Sequence, residues 1–206
     1  MKTHLIRYCA ILTLSVAAIG AAAQEASSSA APIRLRGTID QVDGTRITVK
    51  TRGGESITVV LADALTFQEV SPVDIAAIQP GAFIGTAAVP RADGSLESLE
   101  VVVFPEAARG TGEGHSAWDL QPQSTMTNAT VTQLVRSAQG RELTVRYKDG
   151  TKQIHVPDGV PIVTFTPGER DLIKPGAKVF AVVAIRNGQA TATRLVVGRD
   201  GFAPPM

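Results

Sequence analysis

Cysteine is almost missing from this chain. The single one, Cys9, lies near the start, inside a stretch that reads as a removable leader. The mature part would then hold no thiol. That excludes cysteine nucleophiles, thiolate metal sites and disulfide staples together. Aromatic residues are scarce, at 4% of the sequence, whereas surfaces that stack bases or sugars spend more of them. Charge is low as well. The formal net charge is +1, and loss of Lys2 and Arg7 with the leader would take it to −1. No basic stripe stands out, so a nucleic-acid partner is not expected. After the leader there is no apolar run long enough to cross a bilayer.

What is present begins with that leader. Residues 1–23 read as a signal peptide: Lys2 and Arg7 precede an apolar run from Tyr8 to Gly20, and Ala21-Ala22-Ala23 offers small residues for cleavage. Export to the periplasm or beyond follows as an expectation, without membrane insertion once the leader is cut. Residues 24–32 are a small polar tether. With 44% hydrophobic and 19% charged residues, the remainder has enough apolar content to fold.

That remainder carries an internal repeat. Gly37-Thr38-Ile39-Asp40-Gln41-Val42 lies over Ala129-Thr130-Val131-Thr132-Gln133-Leu134, and Ile47-Thr48-Val49-Lys50 over Leu143-Thr144-Val145-Arg146. Ile78-Gln79-Pro80-Gly81-Ala82 lies over Ile173-Lys174-Pro175-Gly176-Ala177, and Val101-Val102-Val103 over Leu195-Val196-Val197. Within each copy, period-two alternation marks half-buried strands. Ile47, Val49, Ile57, Val59 and Leu61 should share the core face of the first copy, and Leu143, Val145, Ile154 and Val156 that of the second. Glycines at Gly53-Gly54, Gly94, Gly150 and Gly188 mark tight turns. Ser71-Pro72 and Thr166-Pro167 look like helix starts. The order predicts an all-β chain of two tandem, small, five-stranded OB-like barrels, each with a short helix between strands three and four. The expected division is barrel one at 33–104, a Gly-rich linker at 105–127, barrel two at 128–198 and a tail at 199–206. Another small closed barrel, such as an SH3-like one, is the alternative.

The linker concentrates the residues with chemistry. It contains the only Trp and one of the two histidines beyond the leader. Glu113, His115 and Asp119 are residue types that suit a divalent metal ion, and they are the candidate ligands. A phosphate loop lacks its Gly-Lys-Ser/Thr ending, and a His–carboxylate pair has no nucleophile beside it. The reading placed first is a structural clasp in which Trp118 anchors the linker between the barrels, with Arg109 in local charge pairs. His155, between Ile154 and Val156, should point away from their core face.

The chain also resembles a family of uncharacterised exported bacterial proteins with tandem OB-like repeats. The segments carrying the resemblance are Phe104-Pro105-Glu106-Ala107, Arg109-Gly110-Thr111-Gly112-Glu113-Gly114-His115, Trp118-Asp119-Leu120, Ser124-Thr125-Met126-Thr127-Asn128-Ala129 and Gly198-Arg199-Asp200-Gly201. Members are often labelled automatically as metal transporter permeases, a label at odds with a chain that shows no apolar span after its leader. The resemblance implies a compartment and a fold. It supplies no activity, no resident cofactor and no functional residues. The expectation is a non-enzymatic binding or interaction module of the cell envelope, whose partner is an envelope protein or a small ligand. The alternative is a periplasmic metal-binding accessory protein that uses the linker.

Overall fold

A computed structural model describes residues 32–137, 140–186 and 188–206. The expected leader and nearly all of the expected tether lie outside the described residues. The described chain is all-β. Its strands are β1 (Ile33–Asp43), β2 (Arg46–Thr51), β3 (Ser56–Pro72), β4 (Phe83–Pro90), β5 (Leu96–Val103), β6 (Gly114–Ala117), β7 (Thr125–Ser137), β8 (Gly140–Tyr147), β9 (Gly150–Pro157), β10 (Ile162–Pro167), β11 (Lys178–Arg186) and β12 (Gln189–Gly198).

Pairing runs β12-β11-β1-β2-β3-β10-β5-β4-β7-β8-β9, with further pairings of β12 to β3 and of β5 to β9. The first extra pairing closes a five-stranded barrel from β1, β2, β3, β11 and β12. The second closes a ring from β7, β8, β9, β4 and β5. Neither is built from one contiguous repeat. Contiguous repeats would place β4 and β5 in the barrel of residues 33–104, but they complete the ring around β7, β8 and β9. In exchange, β11 and β12 complete the barrel around β1, β2 and β3.

The physical reason lies in the links between the third and fourth strands. Where the sequence suggests short helices, the structure has only three-residue 3₁₀ turns, Ile75–Ala77 and Arg170–Leu172. Ser71 and Pro72 belong to the end of β3, and the cap is Asp74, whose carboxylate accepts from the Ala76 amide at 2.7 Å. The Pro80-Gly81 and Pro175-Gly176 corners follow at once, with φ of 90° at Gly81 and 87° at Gly176. Each corner is closed by an i to i+3 bond, Ala82 amide to Gln79 carbonyl at 2.9 Å and Ala177 amide to Lys174 carbonyl at 3.1 Å, so the chain turns only after the extended third strand has already left its own barrel. The 17 residues of β3 pair with β2 near their start and with β10 near their end. Thus the two crossing segments lie antiparallel, with Val70 opposite Phe165 and Pro72 opposite Val163.

Three apolar clusters result. One fills the first barrel, with Ile39, Ile47, Val49 and Val59 from the first copy and Val179, Leu195 and Val197 from the second. One fills the second, with Leu143, Val145, Ile154 and Val156 beside Ile84 and Val101. The core faces read from alternation are therefore the observed ones, Ile57 being only partly buried. The third cluster lies between the barrels: Val70, Val102, Val163, Phe165, Phe180, Val196 and Met206. Among the described residues no helix is long and apolar enough to cross a membrane.

A fragment limited to residues 33–104 has β1–β3 without their closing strands and β4–β5 without the strands they close. It is expected to fold only as a dimer in which two copies exchange β4 and β5. Light scattering on a sizing column checks this, and a cooperatively melting monomer would contradict it.

Candidate junction site between the barrels

Two β-bulges aim charged side chains into the junction. On β12 the register shifts between Ala192 and Arg194, in its pairing with both β11 and β3. Ala192, Leu195 and Val197 face the barrel core. Strict alternation would put Arg194 there too, whereas the extra residue, Thr193, turns it outward. On β5 the register shifts opposite Ala87 and Ala88, between Glu100 and Ser98. Thr86 and Ser98 hydroxyls bond the Glu100 carbonyl at 2.7 and 2.9 Å. Glu100 then falls on the same outer side as Val102, which belongs to the inter-barrel cluster. Glu100 and Arg194 occupy equivalent positions of the two copies, each just before an apolar run of three.

Glu100 is buried and Arg194 half-buried, and neither has its full set of partners. Glu100 is 0% exposed and neither carboxylate oxygen has a hydrogen bond. Burial pushes its carboxyl up to about 8, against the pull of the Arg36 and Arg52 charges. The Arg194 Nε is buried with no acceptor, and its guanidinium lies 5.1 Å from the centre of the Phe165 ring. Burial pushes its pKa down, although a guanidinium stays charged in proteins.

The linker enters the same junction. Its strand β6 pairs with β7 of the second barrel. Trp118 then packs against the inter-barrel cluster, half-buried, with the Arg34 guanidinium of β1 stacked 4.0 Å over its ring. Ser124 folds the loop that holds it: the Trp118 amide donates to the Ser124 carbonyl at 2.8 Å, and the Ser124 hydroxyl donates to the Gln121 carbonyl at 2.8 Å. The Trp118 indole Nε1 is buried and has no acceptor.

A cavity of about 280 Å³ opens here. Val102, Phe104, Met126, Phe165, Phe180 and Met206 are among the apolar residues of its wall, and Trp118 and Arg194 line it as well. Gly85 keeps that wall open, since a Cβ at this position would lie 2.5 Å from the Asn128 Oδ1 and 3.0 Å from the Phe104 ring.

The candidate metal ligands do not converge. Glu113 is exposed. His115 bonds through Nδ1 to the Thr127 hydroxyl at 2.8 Å and stacks on Tyr147; burial, then the Lys152 charge, lowers its pKa. Asp119 accepts from Arg36 at 2.7 Å and pairs with Arg34 at 3.7 Å. Burial raises its pKa, but the Arg36 hydrogen bond and the two arginine charges outweigh this and leave it below the ordinary value. Among the described residues no three His, Cys, Asp or Glu side chains are grouped to hold a metal ion. Arg109, also exposed, pairs with Glu106 at 2.6 Å and donates to the Gly81 carbonyl at 3.0 Å. His155 does point away from the Ile154 face, yet it is buried and its Nδ1 meets Glu142 at 2.6 Å.

Glu100 and Arg194 did not emerge from the sequence reading. Their signal was a charge directly before an apolar run of three, at the same place in both copies. Comparison with protein-family models, characterised proteins and solved structures finds no match for this chain.

The folded-state pKa of Glu100 lies above its ordinary 4.5. The folded chain therefore keeps a proton that the unfolded chain releases between pH 4.5 and 8. Stability from this group is greatest below that window, falls as pH rises through it and levels off above it. Glu100→Gln is expected to flatten the slope and to stabilise the fold at the alkaline end by about 1–3 kcal/mol. Urea unfolding at both ends of the window checks this. An unchanged slope in the variant would contradict the assignment.

Proposed function

We propose that the protein is an exported, non-enzymatic binding module of the cell envelope, built as two OB-like barrels, whose binding site is the cavity at their junction. The OB-like reading is supported by the pairing within each ring: a three-stranded meander, the third strand parallel to the fifth, and the fourth between the fifth and the first. Export rests on the leader-like residues 1–23. The linker acts as a clasp in this reading, because Trp118 and Asp119 meet Arg34 and Arg36 of the first barrel while β6 pairs with the second.

The observation that carries the binding reading is the cavity itself. It is mostly apolar with a few polar groups, the usual make-up of a small-ligand site. Its wall offers a guanidinium, an indole N–H, the Asn128 amide and the Thr111 and Ser116 hydroxyls, with no carboxylate, imidazole or thiol among its described residues. Such groups hold a ligand rather than exchange protons with it.

Native mass spectrometry tests the reading. Protein equilibrated with a small-molecule extract of the producing cells is expected to gain a bound mass. Val182→Trp, which fills the cavity, is expected to lose it. No added mass on the unmodified protein would contradict the proposal.

A further inference from the structure

The junction holds one uncompensated cation in an apolar setting. Arg194 sits on a strand whose next three residues are Leu195, Val196 and Val197. A bulge has turned it out of one barrel core into the seam. Among the described residues no carboxylate pairs with it, and its recorded neighbour is the Phe165 face. Arg194 is half-buried, its Nε is shielded from water without an acceptor, and desolvating an unpaired ion is unfavourable. A fold that only needed packing here would be served better by Met or Leu.

A second donor lines the same cavity. The Trp118 Nε1 is buried and unbonded, although a buried indole N–H usually finds an acceptor. Two donors without acceptors, one of them charged, share one pocket with aromatic and aliphatic walls. The nearest acid in the seam does not answer them. Glu100 is absent from the cavity lining, and the charges that act on it are Arg36 and Arg52. The cavity therefore presents the positive charge of Arg194, beside the Trp118 ring, to whatever enters.

From this we infer that the junction cavity takes a small organic monoanion, a carboxylate on an apolar body, with Arg194 as its charge partner and the Trp118 ring as part of its wall. The inference rests on the binding-module reading and names the class of its ligand. A guanidinium offers a carboxylate two parallel N–H bonds, and the aromatic wall takes the hydrocarbon part. The size agrees: an engineered apolar cavity of about 150 Å³ holds benzene, so about 280 Å³ accommodates a single ring or a short chain with its carboxylate. Inorganic phosphate would leave the apolar wall uncovered, and a nucleotide is too large.

Trp118, the only tryptophan, reports on its own site. Hexanoate, titrated into the full-length mature protein near pH 7, is expected to change the Trp118 emission saturably and to raise the melting temperature. 1-Hexanol, which keeps the chain and lacks the charge, is expected to bind at least tenfold more weakly. Arg194→Gln is expected to lose the preference for the acid while still melting cooperatively. The comparison of acid with alcohol on the unmodified protein needs no variant to fold. Equal binding of both would overturn the ligand class and leave the binding-module reading standing. No saturable response to either would overturn the inference, and the native mass measurement then decides the broader reading separately.

Discussion

The antiparallel contact between β3 and β10 is the constraint on which the rest of this structure depends. These are the two places where the chain passes from one barrel to the other, and they are hydrogen-bonded to each other from Gln68 opposite Pro167 to Pro72 opposite Val163. Because the third strand of each copy leaves its barrel here, its fourth and fifth strands must close the other one. Both barrels are then covalently interlocked through a single seam. Val70, Val163 and Phe165, on the crossing strands, are also the centre of the inter-barrel cluster. Loosening the crossing would open both rings, not one.

The seam has an unusual chemical make-up for so apolar a contact. The bulges on β5 and β12 place Glu100 and Arg194 in it, at matching positions of the two copies. One is an acid held largely protonated at neutral pH by burial, with its value near 8. The other is a base that stays charged. They do not neutralise each other: the charges that act on Glu100 are those of Arg36 and Arg52, and Arg194 lines the cavity. The approximate symmetry of the repeat is thereby broken in its charge, and the cavity side becomes the positive one. The linker reinforces this asymmetry, since there is one Trp118 and it lies on that side.

Much of the local structure was legible from the residues. Alternation assigned Val49, Val59, Val145 and Ile154 to core faces, and the Pro80-Gly81 and Pro175-Gly176 corners were visible as such. The partner of each strand was not. Both copies carry the same alternation in the same register, so β4 and β11 are nearly interchangeable as neighbours for β1 or β7. What distinguishes the two arrangements is the crossing itself, where the end of β3 pairs with β10, a contact between segments distant in sequence. The site was hidden for a related reason. A bulge exists only relative to a partner strand, so the destination of Arg194 could not be read from its own segment. The roles of the linker residues depended likewise on distant partners: Asp119 looked like a metal ligand until Arg34 and Arg36 were beside it.

The exchange of strands is tested most directly by paired cysteines, since the chain has no thiol after Cys9. Thr38 lies opposite Lys178 across the β1–β11 pair, whereas Phe83, which occupies the position of Lys178 in the first copy, lies opposite Thr130. Residues directly opposite in an antiparallel pair have Cα atoms about 4.5–5.5 Å apart, within reach of a disulfide. Mass measurement of the oxidised monomer is expected to show the loss of two hydrogens in Thr38→Cys/Lys178→Cys and no loss in Thr38→Cys/Phe83→Cys. A disulfide in the second pair and none in the first would mean that each repeat closes its own barrel.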